Sequence, residues 1–462
     1  MLCLLFLAWT LCGAWRGFAP SISPARIYSR GLEYGHLVQN GVFSMLYALR
    51  PGWYVPNAKL RRGHPTLDEL SFDEAAAETK KLLLASKQET VADTRFPFLR
   101  RRMSFNADAR GRNLVILALE SMDYAQVDAL AGTSYGATPN LDELIRHGVS
   151  FENFYACGTD SSLDGIGTLM TGVCRLGGVD YFGRGMESFP ISRLGKLFTD
   201  NGYNAFFARP ARDGWMFIGP LARLTGFKTA GGEDLQKQFQ KKKVSDEDAL
   251  KWLAQQIKSS GKPFLGFFFS LATHEPLGSF MPEHFDPETE RKFPSTSYQR
   301  ALAYTDWSIG RFVADLKASG LYDNTVFVIV GDHILRGAAR AGVTGSYRVP
   351  FVIVAPGVLV PGVQKKLGGQ ADVLPTLVDL FHIAVPYAAM GNSLLDGSAP
   401  PFAFVSADSG EHFGLVSPDG VGWDDDVLAS KKQVNSPALR KKAVALNKAV
   451  YESLVSGTWA EK

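Results

Sequence analysis

Six short apolar runs recur along the chain from residue 113 onward, and each has the length of one β-strand. They contain few polar positions and are rich in β-branched and aromatic residues, as in "NLVILALE" and "NTVFVIVGD". The runs comprise residues 113–120, 203–208, 263–271, 324–332, 349–356 and 401–407. Because a strand with one face in water alternates apolar and polar residues, these unbroken runs predict strands that are covered on both faces.

Segments of helical character lie between the apolar runs. "PNLDELIRHG" begins at Pro139 and ends at Gly148, and "YTDWSIGRFVADLKASG" ends at Gly320, just before the next run. Proline is favoured in the first turn of a helix, and glycine just after the last. Helices that alternate with fully covered strands predict an α/β fold, a three-layer αβα sandwich with a central, largely parallel sheet.

The pattern divides the chain into four parts. Residues 1–20 contain an apolar run, residues 21–109 form a linker with helices, residues 110–395 form the α/β domain, and residues 396–462 form a C-terminal strand and helical extension. "DEAAAETKKLLLASK" (73–87) predicts a helix in the linker, since it has strong helix formers and no glycine or proline. The basic, turn-rich sequence "LRRRMSFNADARGRN" marks the boundary before the α/β domain.

The N-terminal run "MLCLLFLAWTLCGAW" carries no charge. It is shorter than the roughly 18 to 20 apolar residues that span a bilayer, and it lacks the basic start of a signal peptide. We interpret it as a membrane anchor or as the remnant of a longer transmembrane region, rather than as an apolar end packed on the protein. Arg16, Arg26 and Arg30 follow the run, and by the positive-inside tendency they would place the rest of the chain in the cytoplasm.

Composition narrows the classes of partner. The chain has 462 residues, of which 46% are hydrophobic, so it can bury a large core. Its 49 lysines and arginines nearly balance its 46 acidic residues, and no stretch combines basic and aromatic residues, so nucleic acid is not an expected partner. Among four cysteines, Cys157 and Cys174 would form a disulfide in an exported protein or remain buried thiols, and the sequence leaves both open.

Acidic and histidine residues follow two of the predicted strands. Glu120 comes directly after "LVILAL", and Asp332 and His333 come after "VFVIV". The carboxyl ends of strands in an open α/β sheet gather the reactive groups, so we expect these residues to lie close together. Buried carboxylates are costly unless a cation meets them, which favours a divalent metal site. Each residue taken alone also fits a capping carboxylate or a hydrogen-bonded core histidine.

The other strand ends offer residues for substrate binding. His274 follows the third strand in "LATHEPLG", and the second strand leads to "ARPARDGWMF", which contains Arg209, Arg212 and Trp215. The arginine fork suits phosphate, so this loop is a candidate wall of the substrate site. The alternative interpretation is a solvated charged loop and an exposed loop histidine.

Two adjacent serines, Ser161 and Ser162, precede "IGTLMTG", which predicts a short helix. The free N–H groups and the dipole at a helix N-terminus stabilise an anion. A metal ion lowers the pKa of a hydroxyl that binds it, so a hydroxyl, a metal and a helix end together indicate phosphoryl transfer through a covalent serine intermediate. The alternative is that the serines only cap the helix, with "SSLD" as a capping box.

Seven motifs occur in order between residues 110 and 395. They are "LVILALES", "TPNLDELIRHGVSFENFYACGT", "TLMTG", "FFFSLATHEP", "YTDWSIGRFVADLKASGLYDNTVFVIVGDH", "YRVPFVIVAPG" and "GQADVLPTLVDL". This set resembles the alkaline phosphatase and sulfatase superfamily, and most closely its lipoteichoic acid synthase-like branch of membrane-anchored phosphoglycerol transferases. The resemblance implies the fold of that superfamily for this region.

The resemblance also implies a site, residue by residue. One divalent metal ion would be bound by Glu120, the nucleophile hydroxyl, Asp332 and His333, and Mn²⁺ is the expected ion, with Mg²⁺ and Zn²⁺ as alternatives. His274 matches the family's histidine that contacts the substrate phosphate or leaving group. Trp215 matches the aromatic residue of the family's substrate loop.

Two counts within the family pattern give different nucleophiles. Counting back from "TG" at 171 and 172 gives Ser162, and counting forward from "CGT" at 157–159 gives Ser161. We choose Ser162, with Ser161 as the alternative, because the downstream count stays within one helix. A sulfatase is disfavoured, because "SLDGI" lacks the Pro-Ser-Arg-like signal for conversion to formylglycine.

The sequence departs from the family pattern in its substrate loop. The family commonly has Trp-Asn-Arg where this chain has Trp215, Met216 and Phe217, so the arginine that would hold glycerol phosphate is missing there. Arg209 or Arg212 would have to replace it. The segment "ILRGAARAGVTGSYR" also lacks the histidines of the phosphoethanolamine branch.

The candidate site residues and the resemblance to the superfamily together predict a metal-dependent phosphotransferase. It would move a phosphoglycerol-like headgroup from a phospholipid to an exported glycan or lipid acceptor, at the cell membrane with its catalytic domain on the extracytoplasmic face. That location conflicts with the basic residues after the apolar run. The alternatives are a phosphodiesterase or phosphatase that uses water, a sulfatase, and a non-catalytic envelope scaffold, which the altered substrate loop favours.

Overall fold

The computed structural model describes residues 64–159, 161–282, 290–294, 296–335, 342–425 and 435–461. The N-terminal apolar run, Cys3, Cys12 and the first part of the predicted linker lie outside the described residues. Within the described ranges, no helix is both long enough and apolar enough to cross a membrane.

Strands and helices alternate along most of the described chain. The strands are β1 (Glu89–Val91), β2 (Arg100–Arg102), β3 (Asn113–Leu119), β4 (Val149–Phe151), β5 (Phe154–Tyr155), β6 (Asn204–Ala208), β7 (Lys228–Ala230), β8 (Phe264–Phe269), β9 (Thr325–Gly331), β10 (Phe351–Val354), β11 (Gly362–Gln364), β12 (Gly368–Gly369), β13 (Ala403–Ala407), β14 (His412–Ser417) and β15 (Gly420–Trp423). The α-helices are α1 (Phe72–Leu83), α2 (Asp128–Ala131), α3 (Pro139–Arg146), α4 (Ser162–Thr171), α5 (Leu194–Thr199), α6 (Ile218–Leu224), α7 (Gly232–Phe239), α8 (Asp246–Lys258), α9 (Ser297–Ala318), α10 (Gly342–Tyr347), α11 (Val373–Leu380) and α12 (Pro437–Val455).

The central sheet has eight strands in the order β11-β4-β10-β9-β3-β8-β6-β7. β3 pairs in parallel with both β8 and β9, and β6 pairs in parallel with β7 and β8. β10 runs antiparallel to β9 and β4. The prediction of a central, largely parallel sheet in an α/β fold is therefore confirmed.

Alternate residues of β3 enter two separate cores, one on each face of the sheet. Leu114, Ile116 and Ala118 belong to the first core, which includes Ile166 and Leu169 of α4. The intervening residues Val115, Leu117 and Leu119 belong to the second core, together with Leu141 of α3, Leu253 of α8 and Ile309 of α9. Side chains alternate in direction along a strand, so β3 is covered on both faces by helices. This arrangement is the three-layer sandwich that the unbroken apolar runs predict.

The last apolar run, residues 401–407, forms a strand but does not join the central sheet. It becomes β13, which pairs antiparallel with β14 in a separate three-stranded sheet, β13-β14-β15. An apolar run indicates that a strand is buried but does not identify its partner, which here is the next strand along the chain.

The N-terminal segment packs into the same core as the C-terminal helix. α1 is capped at Ser71, whose side chain accepts a hydrogen bond from the backbone N–H of Glu74, as the helix-forming sequence predicts. Phe98 lies against Trp459, with ring centroids 5.8 Å apart. The predicted division into four parts, with boundaries near residues 110 and 395, stays a prediction.

The basic sequence before residue 110 contains a buried ion network instead of only turns. Arg100 and Arg102 lie in β2, and both guanidinium groups are buried. Arg102 forms ion pairs with Glu89 at 3.0 Å, Asp379 at 3.0 Å and Asp396 at 3.2 Å. Sequence reasoning placed these arginines in a boundary loop because their acidic partners Asp379 and Asp396 lie far away in the sequence.

Candidate active site

Glu120, Asp332 and His333 meet at the carboxyl ends of two neighbouring strands. Leu119 and Gly331 are paired in the parallel register of β3 and β9, so the residue after each strand lies at the same edge of the sheet. One ligand atom from each of the three side chains lies within 4.8 Å of the others. All three side chains are buried, so the structure brings together the residues that the strand ends predict.

Ser162 joins this cluster as the first residue of α4. Its Oγ donates a hydrogen bond to Oε2 of Glu120 at 2.9 Å and lies 3.4 Å from Nε2 of His333. Ser161 is the N-cap residue, but its side chain forms no capping hydrogen bond with the helix. The buried hydroxyl of Ser162 is therefore the one that contacts the cluster, whereas Ser161 is half-buried and lines a neighbouring cleft.

Hydrogen bonds determine how the ligand atoms of Asp332 and His333 are presented. Oδ1 of Asp332 accepts the backbone N–H of Ser121 at 2.8 Å and that of His333 at 2.6 Å. Nδ1 of His333 lies 2.7 Å from the carbonyl oxygen of Ile334, and a carbonyl can only accept, so Nδ1 carries the proton. Nε2 of His333 then keeps its lone pair, which points toward Glu120 at 3.5 Å. This is the usual orientation of a metal-ligating histidine.

The cluster fits a divalent cation. Oδ2 of Asp332 is buried and accepts no hydrogen bond from the described residues. Burial, and next the nearby charge of Glu120, raise the pKa of Asp332 well above its usual range. Two carboxylates, one imidazole and a hydroxyl suit Mn²⁺, Mg²⁺ or Zn²⁺, and a cation between them would remove the repulsion that raises this pKa.

Polar side chains around Glu120 hold its backbone and carboxylate. Ser121 donates its hydroxyl to Oε1 of Glu120 at 2.7 Å, from a left-handed backbone conformation with φ of 52°. Ser270 accepts the backbone N–H of Glu120 at 2.9 Å, and Thr273 donates to its carbonyl oxygen at 2.6 Å. Sequence reasoning missed Ser270 and Thr273, although both follow the strand that leads to His274.

Gln370 connects the two halves of the cluster and was also missed. Its Nε2 donates to the carbonyl oxygens of Gly331 and Asp332, each at 2.8 Å, and its Oε1 accepts the N–H of Cys157 at 2.8 Å. The side chain thus joins the end of β9 to the loop that leads to Ser162. The only sequence signal was its place in the motif "GQADVLPTLVDL".

His274 and Trp215 form an aromatic wall near the cluster. Their rings meet edge to face with centroids 4.7 Å apart, and Phe280 stacks on Trp215 at 5.8 Å. Nδ1 of His274 lies 2.5 Å from the carbonyl oxygen of Glu275, and a carbonyl can only accept, so Nδ1 donates this hydrogen bond. The contact of His274 with the substrate phosphate or leaving group, and the part of Trp215 in substrate binding, stay predictions.

Arg209 supports the substrate loop from inside. Its side chain is fully buried, and Nη2 donates to the carbonyl oxygens of Arg212, Asp213 and Trp215 at 2.8, 3.1 and 2.6 Å. Burial lowers the pKa of Arg209 to about 10, so the group stays charged at neutral pH. The alternative of a solvated loop residue is wrong for Arg209. Arg212 is exposed, and substrate binding by either arginine stays a prediction.

Cys157 and Cys174 are both free thiols in the structure, and both are buried. Burial raises the pKa of the Cys174 thiol well above its usual range. Of the two alternatives that the sequence leaves open, the structure therefore corresponds to two buried thiols and not to a disulfide.

A cleft of about 1140 Å³ opens beside the cluster. Ser161 and Leu163 line it at the start of α4, and Met216 and Phe217 line it from the substrate loop. Further walls come from residues 178–184 and from the C-terminal sheet. The cleft therefore reaches the start of α4 at the residues on either side of Ser162.

A family comparison decides the identity of the fold. The Sulfatase family model matches residues 112–383, which is more than half of the chain. The chain belongs to the sulfatase family. The predicted membership in the alkaline phosphatase and sulfatase superfamily is confirmed, and the superfamily's members are enzymes.

The curated relatives of this sulfatase-family chain include a lipoteichoic acid synthase-like protein, a phosphoglycerol transferase and an arylsulfatase. The chain is 27% identical over 64% of its length to the lipoteichoic acid synthase-like YvgJ of Bacillus subtilis, covering 51% of that protein. It is 26% identical over 65% of its length to phosphoglycerol transferase I of Xanthomonas campestris pv. campestris, covering 45% of that protein. The chain spans about half the length of these two relatives.

Solved structures have the same fold. A protein of the alkaline phosphatase superfamily from Vibrio parahaemolyticus aligns over 85% of this chain and 98% of its own, with a TM-score of 0.66 and 20% identity. The lipoteichoic acid synthase LtaP from Listeria monocytogenes aligns over 75% and 93%, with a TM-score of 0.58 and 20% identity. These likenesses confirm the fold.

Proposed function

We propose that this chain is the catalytic part of a metal-dependent phosphotransferase that moves a phosphoglycerol-like headgroup from a phospholipid to an exported glycan or lipid acceptor. The observation that carries the proposal is the hydroxyl of Ser162, which lies 2.9 Å from Glu120 and 3.4 Å from His333 at the N-terminus of a ten-residue helix. The similarity to lipoteichoic acid synthase-like and phosphoglycerol transferase sequences supports the choice of transferred group.

Glu120, Ser162, Asp332 and His333 would hold one divalent ion. A bound divalent ion lowers the pKa of a ligating hydroxyl and polarises a phosphoryl oxygen. In the absence of a selective geometry, Mn²⁺ is the ion that we propose from the family resemblance. The N-terminal N–H groups of α4 add a fixed partial positive charge next to Ser162, where negative charge develops during the reaction.

In the first step, Ser162 attacks the phosphorus of the phospholipid. Its proton passes to Oε2 of Glu120, the acceptor of its hydrogen bond, as the bond from Oγ to phosphorus forms. The bond from phosphorus to the lipid oxygen breaks, and His274, starting in its protonated form, gives a proton to that oxygen. The lipid leaves as an alcohol, and the headgroup stays on Ser162 as a phosphodiester.

In the second step, a hydroxyl of the acceptor attacks the same phosphorus. His274 removes the proton of that hydroxyl as the new bond forms. The bond from Oγ of Ser162 to phosphorus breaks, and Oγ takes its proton back from Glu120. Both residues thus return to their starting states, and water in place of the acceptor would give a hydrolase.

We further propose that this chemistry takes place at the outer face of the cell membrane. A phospholipid donor requires access to a membrane surface, and the relatives are named as lipoteichoic acid synthase or synthase-like proteins or as a phosphoglycerol transferase. Trp215 and Phe280 present an aromatic wall suited to the apolar part of such a donor. The closely grouped metal-type cluster argues against a non-catalytic scaffold.

The test is to incubate the purified chain with Mn²⁺, phosphatidylglycerol and a glycan acceptor, and to follow the headgroup by mass spectrometry. We expect the mass of glycerol phosphate on Ser162 and then on the acceptor. Ser162→Ala should lower the transfer rate by on the order of 10³-fold or more, because the nucleophile is lost. Ser161→Ala should change the rate by less than about tenfold, since its hydroxyl does not contact the cluster.

Ser188→Ala serves as a control, because this serine is exposed and lies in a different turn. Retained transfer by Ser162→Ala, with normal metal content, would contradict the nucleophile assignment. If glycerol phosphate is released into solution and none is found on the acceptor, the enzyme is a hydrolase and not a transferase. Loss of activity only in Ser161→Ala would move the nucleophile by one residue.

A further inference from the structure

A second group of metal-type side chains lies between the N-terminal segment and the C-terminal sheet. It contains His64, which precedes a short 3₁₀ turn, His412 at the start of β14, and Asp424 directly after β15. One ligand atom from each lies within 4.8 Å of the others. None of these residues belongs to the cluster around Ser162.

The three ligand atoms point toward one another. Nε2 of His64 lies 2.9 Å from Oδ2 of Asp424, and Nδ1 of His412 lies 3.5 Å from the same oxygen. Oδ2 of Asp424 and Nδ1 of His412 are both buried, and neither forms a hydrogen bond with a described residue. Two imidazoles that converge on one buried carboxylate oxygen without hydrogen-bond geometry are arranged as ligands of one cation would be.

Surrounding hydrogen bonds orient these side chains. Oδ1 of Asp424 accepts the backbone N–H of Phe413 at 2.8 Å, and Nδ1 of His64 lies 2.6 Å from the hydroxyl of Thr66. If Nδ1–H donates to Thr66, Nε2 of His64 keeps its lone pair toward Asp424 and toward the carbonyl oxygen of Glu411, 3.0 Å away. A bare nitrogen that faces two oxygens is repelled by both unless a cation lies between them.

A protonated His64 is the competing interpretation. The neighbouring carboxylate of Asp424 raises the pKa of His64, so a plain ion pair would account for the 2.9 Å contact. That pair leaves Nδ1 of His412 buried without a partner among the described residues. A cation satisfies all three side chains at once, whereas a proton on His64 satisfies only two.

The charge of the surroundings also favours a cation. The three residues line the cleft of about 1140 Å³ that reaches Ser161. Among the described residues, three arginines line that cleft, against six acidic residues: Glu69, Asp180, Asp408, Glu411, Asp424 and Asp425. Two imidazoles and one carboxylate are a donor set that Zn²⁺ and similar transition metals prefer over Mg²⁺ or Ca²⁺.

We propose that His64, His412 and Asp424 bind a second divalent transition-metal ion of the zinc class. The ion joins the N-terminal segment to the C-terminal sheet, and three protein ligands leave a fourth position for water or for an oxygen of a substrate in the cleft. This site does not depend on the proposed phosphotransferase activity.

The test measures the zinc content of the full chain after loading with Zn²⁺ and dialysis. We expect two ions per chain for the wild type. Asp332→Asn removes a ligand of the Ser162 cluster, and His412→Ala removes a ligand of the second site, so each of these variants should bind one ion. The double variant should bind none. His147→Ala, which removes an exposed histidine paired with Glu143, should keep both ions.

Asp424→Asn, which preserves side-chain volume, repeats the test in case His412→Ala fails to fold. A chelator should lower the melting temperature of Asp332→Asn, in which only the second site remains, and should leave the double variant unchanged. An Asp332→Asn variant that binds no zinc, or two ions in His412→Ala and Asp424→Asn, would overturn the proposal. An unchanged melting temperature of Asp332→Asn with chelator would instead favour the protonated pair.

Discussion

Ser161 and Ser162 are chemically identical neighbours, and their surroundings make them different. The two counts in the sequence disagree by one residue, whereas only Ser162 places its hydroxyl within hydrogen-bond distance of Glu120. Ser161 has an extended backbone at the N-cap, whereas Ser162 is the first helical residue, so the two side chains face different surroundings. The structure thus favours the choice that stayed within one helix.

Another residue-scale effect concerns Asp246, which holds the start of the loop that leads to His274. Its carboxylate accepts the N–H groups of Leu271 at 2.8 Å and Ala272 at 3.2 Å, and the hydroxyl of Thr305 at 2.7 Å. Burial is the largest influence on this group, and it raises the pKa of Asp246 to about 6. Full burial of a charge outweighs three hydrogen bonds here.

The raised pKa of Asp246 predicts a pH dependence of stability. The folded protein holds this proton more tightly than the unfolded chain, so the carboxyl contributes stability below its ordinary pKa of 3.8 and loses it as the pH rises through about 6. The loss should be on the order of 3 kcal/mol in the free energy of unfolding. Urea unfolding between these pH values, compared with Asp246→Asn, measures it.

Asp315→Asn provides a control, because Asp315 is partly exposed and pairs with Lys258. This variant should keep the wild-type difference between acidic and neutral pH, whereas Asp246→Asn should lose it. Equal pH profiles for the wild type and Asp246→Asn would contradict this prediction, because they would mean that the carboxyl has the same pKa in the folded and the unfolded protein.

At the scale of elements, the cluster depends on how closely α4 approaches the end of β9. Gly165 lies one turn after Ser162, and a Cβ at this position would overlap the carbonyl oxygen of Asp332. The glycine therefore lets the nucleophile helix lie directly against the metal-ligand strand. Gln370 bonds to the same backbone from the other side.

Gly165→Ala should destabilise the protein by about 1 to 3 kcal/mol, because the helix must move away from β9. The sign of this change in the free energy of unfolding is informative, since alanine in place of glycine within a helix otherwise stabilises a protein by up to about 1 kcal/mol. Urea unfolding measures the change, and the metal affinity should fall with it.

Gly397→Ala is the matched control, because a Cβ at Gly397 would meet no atom within 4 Å. Its free energy of unfolding should stay within about 0.5 kcal/mol of the wild type. A Gly165→Ala variant as stable as this control would contradict the close approach of α4 and β9.

At the scale of the whole molecule, the described part of the predicted linker is tied to the α/β domain by buried charge. Arg102 in β2 meets Asp379 of α11 and Asp396, both distant in sequence, and also Glu89 of β1. A buried charge that loses its partner is costly because no water replaces it. The segment around β2 therefore contributes to the stability of the whole fold.

Arg102→Ala should lower the free energy of unfolding by about 3 to 5 kcal/mol, because it leaves buried carboxylates without their cation. Urea unfolding at neutral pH measures this change. Arg101→Ala, one residue earlier in the same strand and exposed, should have little effect. Similar stability of the two variants would mean that the network contributes nothing to folding.

The sequence by itself determined the fold class and three metal-type residues of the candidate site. Unbroken apolar runs identify strands covered on both faces, because such a strand has apolar residues at nearly every position. Glu120, Asp332 and His333 were visible because they directly follow two such runs, and parallel strands end at one edge. These inferences need only local sequence and one rule of topology.

Only the tertiary structure decided which residues meet from distant parts of the chain. The buried network of Arg102, the bridge by Gln370 and the convergence of His64 on Asp424 all join segments far apart in sequence. Local patterns record whether a side chain is buried, but not which side chain it meets. Packing of the whole chain determines those partners.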